Sequence, residues 1–194
     1  MNKKVLVVVV LRAVITAAVF LYLAINWGDQ FVELFFWLYK LVLLHLIPEF
    51  NVTNIHIASV KNESLVWAEI ATNCVTVFQG VTVSPGFVVT VSTLTGHALK
   101  HLVIIPTLLL SVPLSNWRIG IKRFLLGIIA IILLEMFDVP VALAGAVRDL
   151  MAIAPATELG WSADGITLAA RFLDGGGRFA MSIAAALIVL NFSV

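Results

Sequence analysis

The chain has 194 residues, of which 61% are hydrophobic and only 12% charged, with a formal net charge of +1. Soluble domains carry about 25% charged residues, so this composition excludes an ordinary globular domain and points to an integral membrane protein. Near-neutral charge, scattered basic residues and the absence of a recognisable motif exclude a nucleic-acid binder, and the single cysteine, Cys74, excludes an internal disulfide or a CxxC site.

Residues 5–25 form a 21-residue, largely apolar segment with Arg12 as its one charge, behind Lys3 and Lys4. A signal peptide would have an apolar region of about 7–15 residues and a better small-residue cleavage site. Residues 1–27 therefore read as a retained transmembrane helix that ends at the interfacial Trp27. Arg12 sits two turns inside and is expected to snorkel or to face a partner.

Residues 31–47, FVELFFWLYKLVLLHLI, contain Glu33, Lys40 and His45. Positions 33, 37 and 40 share one helical face, so a Glu–Trp–Lys stripe opposes a Phe/Leu/Val surface. This predicts an amphipathic helix lying in the membrane interface over 28–50, stopped by Pro48. The alternative, a short second span, would place Arg118, Lys122 and Arg123 outside, against the positive-inside rule.

The period changes over residues 51–93. In Val75, Val77, Val81 and Val83 the apolar residues recur at every second position, interrupted by Gln79. Such alternation, rich in Val, Ile and Thr, predicts three or four antiparallel strands in a β-rich extracytoplasmic segment, 51–96. Asn62-Glu63 marks a hairpin tip, and Ser84-Pro85-Gly86 has Pro then Gly at the centre of a type II turn. So small a sheet buries little core, and its apolar face is expected to lie on the amphipathic helix, the membrane surface or another subunit.

Residues 97–114 form the second span, with Pro106 at its middle and Pro113 near its end. Residues 115–123 are a short basic turn whose three cations, with the two at the N-terminus, put that side in the cytoplasm. The third span is 124–151. Residues 124–147 alone make about 36 Å of helix, more than a hydrocarbon core of roughly 30 Å. Residues 152–177 lie outside again, with Pro155, Gly160, Trp161 and Gly165 marking a loop. A short amphipathic helix over 166–173 then ends at Gly175-Gly176-Gly177. The last span is 178–194, anchored by Arg178, with a surface of Ala180, Ser182, Ala184, Ala185 and Ala186 small enough for close helix packing.

The predicted fold is thus an α-helical membrane protein with four transmembrane helices, one interfacial amphipathic helix and a β-rich extracytoplasmic insertion. Both termini are expected to face the cytoplasm.

Candidate chemistry concentrates in the third span. Glu135 and Asp138 are three apart and share a helical face; carboxylates at membrane depth suggest an ion or proton path. The competing reading is a polar packing contact, with Asp138-Val139-Pro140 a break where the acid reaches water. His97 and His101, at i and i+4, could place two imidazoles on one metal ion, but a third ligand is needed and Lys100 beside them disfavours a cation. Cys74 lacks a nucleophile motif and is expected to be a buried, inert thiol. No GxSxG, P-loop, GxGxxG or HExxH occurs. Asn51-Val-Thr53 and Asn62-Glu-Ser64 fit the glycosylation pattern, which matters only in a eukaryotic secretory setting.

The stretches LVIIPTLLLSVPLSNWRIGIKRFLLGIIAIILLEMFDVPVALAGAVRDLM and LAARFLDGGGRFAMSIAAALIVL resemble, in layout and hydropathy, the second half of the small membrane proteins associated with bacterial exosortases of the H type. The polar Asn-Pro that opens that family's second span is replaced here by Thr95-Gly96-His97. The resemblance implies a non-catalytic partner of a membrane enzyme in a bacterial inner membrane, with no active-site residues. The residue-level reading agrees: a non-enzymatic subunit that docks on other integral membrane subunits or on copies of itself. No cofactor is expected, and grooves between the spans leave room for bound lipid.

Overall fold

The computed structural model describes residues 3–78, 80–113, 116–151 and 164–193, the side chains of residues 3 and 4 excepted. Residues 152–163 of the expected outer segment 152–177, and residues 114 and 115, where the expected second span meets the basic turn, lie outside the described residues. Helix α1, Lys3–Glu33, is followed by α2, Phe36–Leu46. Five strands come next: β1 Phe50–Val60, β2 Glu63–Thr72, β3 Thr76–Phe78, β4 Val81–Val83 and β5 Val88–Leu94. Helices α3, Thr95–Ser111, α4, Trp117–Met151, α5, Gly165–Phe172, and α6, Arg178–Phe192, complete the chain. Three helical stretches are long and apolar enough to cross a membrane: Val5–Glu33, Trp117–Met151 and Gly165–Phe192. At 17 residues, about 25 Å of helix, α3 is shorter than a typical span.

Helix α1 does not stop at Trp27. It continues through Gly28, Asp29 and Gln30, and the chain turns only at Leu34–Phe35. Gly28, inside the continued helix, serves close approach: a Cβ there would meet Leu99 Cδ1 of α3 at 2.5 Å. The Glu–Trp–Lys stripe is therefore split between two helices, although Glu33, Trp37 and Lys40 are all exposed as expected. The opposite side of α2 buries Leu38, Tyr39 and Leu43.

Two sheets replace the expected single one. The larger is antiparallel in the order β1-β2-β5; the smaller is the hairpin β3-β4. Lys61 and Asn62, with φ of 51° and 67°, form the two-residue turn between β1 and β2, where Val60 pairs with Glu63. Gly86 has φ 85° and Phe87 N donates to Ser84 O at 3.3 Å, which is the expected type II turn. On β2 every second residue from Val66 to Thr72 is buried. These side chains, with Phe50 and Val52 of β1, pack against Tyr39, Leu43 and Ile47 and against Val139, Leu143, Ala144 and Val147 of α4. The sheet's apolar face is thus covered by the chain's own helices. Of the valines with the clearest alternation only Val83 packs against this core; Val75 and Val81 are 65% and 64% exposed.

The sheet sits at the C-terminal ends of α1 and α4, opposite the ends that carry Lys3, Lys4, Arg118 and Lys122. The rest of the bundle is built on α3, which packs against α1, α4 and α6. Ile105, Leu109, Ile131, Ala186 and Val189 form its core.

One expected break is absent: helix α4 runs unbroken through Pro140, so Asp138 does not mark a helix end. The break at the three glycines is present: the chain kinks between α5 and α6 at Gly176, whose φ of 107° lies outside helical geometry. A Cβ on Gly145 would overlap that of Ala170, so α4 and α5 approach through this glycine.

Candidate functional site

Six polar side chains from four helices meet inside the bundle. Glu135 and Asp138, one turn apart on α4, are both 0% exposed. Tyr39 O–H, from α2, donates to Glu135 Oε2 at 2.8 Å. Burial, and then the neighbouring Glu135 carboxyl, push the Tyr39 phenol well above its ordinary range, so it remains a proton donor. Arg178, the first residue of α6, donates from Nε to Asp138 Oδ1 at 2.6 Å. His101, in the second turn of α3, places Nε2 3.0 Å from Asp138 Oδ2 and Nδ1 2.7 Å from Ser182 Oγ.

The periphery ties the cluster to its own helices. Ser182 O–H can donate to the Arg178 carbonyl, 2.7 Å away and one turn back on α6. Arg178 Nη1 donates at 2.7 Å to Asp174, which is 64% exposed. Asp138 thus holds α3 and α6 to α4, while Glu135 holds α2. Two buried polar atoms are left over: Glu135 Oε1 and Arg178 Nη2 have no hydrogen-bond partner among the described residues.

Ser182, His101 and Asp138 follow the hydrogen-bond order of a serine–histidine–aspartate triad, but the surroundings do not suit a nucleophile. Ser182 is 0% exposed, its hydroxyl faces its own helix carbonyl, and the Asp138 charge is shared with Arg178.

Other candidates are dispersed. His97 is half-buried, 3.5 Å from Thr93 Oγ1, while both ring nitrogens of His101 are engaged, so the pair does not converge on a common point. Among the described residues no group of three or more His, Cys, Asp or Glu is arranged to hold a metal ion. Arg12 is exposed on α1 and makes no ion pair among the described residues. Cys74, expected to be buried, is exposed, because the short loop that carries it leaves the main sheet before β3.

Arg123 is more than a topological anchor. It is buried, donating from Nε to Ser193 Oγ at 2.9 Å and from Nη1 to Val112 O at 3.3 Å, and so ties α4 to the ends of α6 and α3. At the sheet end Arg148 pairs with Glu49 and, at 3.3 Å, with Asp164, whose Oδ1 caps α5 by accepting from Thr167 N at 2.8 Å.

Sequence reading singled out Glu135 and Asp138 but missed that Arg178, His101, Tyr39 and Ser182 are their partners. Arg178 read as an outer anchor and His101 as half of an i, i+4 pair. The usable signal was charge balance, because two carboxylates in one span require donors from others.

Fold and site together define a small, mostly helical protein with three helices long and apolar enough to cross a membrane, a β-rich end and an internally bonded charge cluster. No known protein family, curated protein or solved structure matches the chain.

Proposed function

We propose that the chain is a non-enzymatic accessory subunit of the bacterial inner membrane. It crosses the bilayer four times, with α3 as the short fourth span, both termini in the cytoplasm and the sheet outside. The observation that carries this reading is the use of the buried charges: Asp138, His101, Arg178 and Ser182 are bonded to one another across three helices. Such a cluster locks a scaffold.

The docking surface is apolar and lies outside the cores. Val75, Val77 and Val81 of the hairpin region and Phe87 and Val88 beside it are exposed, and so is most of α1 between Val5 and Ile25. A membrane-embedded partner suits both surfaces; the resemblance to exosortase-associated proteins suggests that the partner is an enzyme of that class. Native purification tests this: the full chain is expected to copurify with a second membrane protein or with itself. Replacing Val75, Val77 and Val81 by Thr is expected to weaken that association while leaving the bundle folded. A monomer free of partners in native membranes sinks the reading.

Orientation has its own test in the single cysteine. A membrane-impermeant maleimide is expected to label exposed Cys74 in intact spheroplasts; labelling only after lysis reverses the topology.

A second reading, proton or cation movement, is favoured by the two buried atoms left without partners, Glu135 Oε1 and Arg178 Nη2. Proteoliposomes separate the two: a pH gradient that collapses with the wild-type chain and persists with Glu135→Gln supports translocation.

A further inference from the structure

A second polar site lies outside the cluster, at the sheet end of the bundle. A cavity of about 540 Å³ opens between α1, the tip of the β1–β2 hairpin and the first turns of α3. Its polar lining is Asp29, Glu63, Ser64, Thr95, His97 and Lys100. Asp29, Glu63 and Lys100 make no ion pair among the described residues; Asp29 accepts only from Ser64 Oγ, at 3.0 Å. Thr95 is 1% exposed, yet its hydroxyl has no partner among the described residues. Helix α3 begins here with no side-chain cap, so its first-turn amides and the positive end of its dipole meet the cavity.

Through Gly96 and Lys100 the cavity continues into a groove of about 360 Å³, walled by Leu21, Val103, Ile104 and Phe179. Lys100 stands at the junction, its Nζ 5.0 Å from the centre of the Phe179 ring. The two spaces together match an amphipathic molecule with both charges in its head.

We infer that this is a binding site for a zwitterionic aminophospholipid. Its phosphate sits at the N-terminus of α3 with Lys100 and the Thr95 hydroxyl. Its ammonium lies between Asp29 and Glu63, and one acyl chain follows the groove. The carboxylates select a primary amine, which donates hydrogen bonds, over a quaternary one, which is typically held by aromatic cages; no Phe, Tyr or Trp lines the cavity. They also disfavour an anionic headgroup. The site is independent of whether the chain docks on a partner.

The test uses the purified full chain, stripped of lipid by detergent exchange. Equimolar phosphatidylethanolamine, phosphatidylcholine and phosphatidylglycerol with identical chains are added, and retained lipid is counted by native mass spectrometry. Phosphatidylethanolamine is expected to lead by about tenfold, the order of one charge-assisted contact. Asp29→Asn with Glu63→Gln is expected to abolish that preference while phospholipid is still retained, and Lys100→Gln to lower retention of all three. Soluble glycerophosphoethanolamine is expected to compete poorly, because it leaves the groove empty. Equal retention of the three lipids by the wild type, preference for another headgroup, or full competition by the soluble headgroup overturns the inference. The wild-type ranking decides even where a variant fails to fold.

Discussion

Asp138→Asn probes the centre of the bundle, because it keeps the shape of the side chain and removes its charge. In the wild type the carboxylate takes Arg178 Nε at 2.6 Å and His101 Nε2 at 3.0 Å, with all three side chains at most 1% exposed. Removing one member of a buried ion pair costs about 3–5 kcal/mol, because the other charge stays behind without compensation. Arg178 retains one contact, Nη1 to Asp174, but that carboxylate is 64% exposed and lies at the edge. The expected loss is therefore at the lower end, about 3 kcal/mol. Reversible unfolding of the full chain in bicelles measures it. The double variant Asp138→Leu/Arg178→Leu is expected to recover most of the loss, since an apolar pair leaves no stranded charge. A single-variant loss below about 1 kcal/mol, the scale of ordinary polar contacts between membrane helices, refutes the reasoning. So does a double variant as damaged as the sum of the singles.

Tyr39→Phe removes the hydrogen-bond donor to Glu135 and is expected to cost about 1–3 kcal/mol, with faster amide exchange in α2. Because the folded phenol is held above its ordinary value of 10.0, its contribution is complete below that pH and is lost as pH rises beyond it. Alkaline melts are accordingly expected to show a steeper fall for the wild type than for Tyr39→Phe; parallel curves contradict this. Gly145→Val drives a side chain into Ala170 and is expected to destabilise by about 1–3 kcal/mol, whereas Gly175→Ala, with open space around it, is expected to be silent in the same melt. Arg123→Lys keeps the charge that orients the chain but loses the paired donors. Unchanged Cys74 labelling with a lower melting temperature is the expected result, and an inverted label pattern contradicts it.

The sequence readily showed what depends on local chemistry. Apolar length and charge scarcity marked the long helices, period-two alternation marked strands, and Pro85-Gly86 marked a turn, because each is a property of consecutive residues. Where local signals misled, a distant neighbour explains the miss. Trp27 reads as a helix end, but α1 runs on to Glu33, with Gly28 packed close against Leu99 of α3. Of the alternating valines around β3 and β4, Val75, Val77 and Val81 are exposed, because the covered face is built mainly from β1, β2 and Val91 of β5.

Composition and periodicity by themselves determined that the chain carries runs long and apolar enough to cross a membrane, where those runs lie, and that two carboxylates sit in the run 124–147. They could not say what those carboxylates meet. Glu135 is answered from 96 residues away by Tyr39, and Asp138 from 37 and 40 residues away by His101 and Arg178. A charge in a low-dielectric interior is settled by whichever donors the packing of helices brings within about 3 Å, and that distance is a property of the tertiary structure.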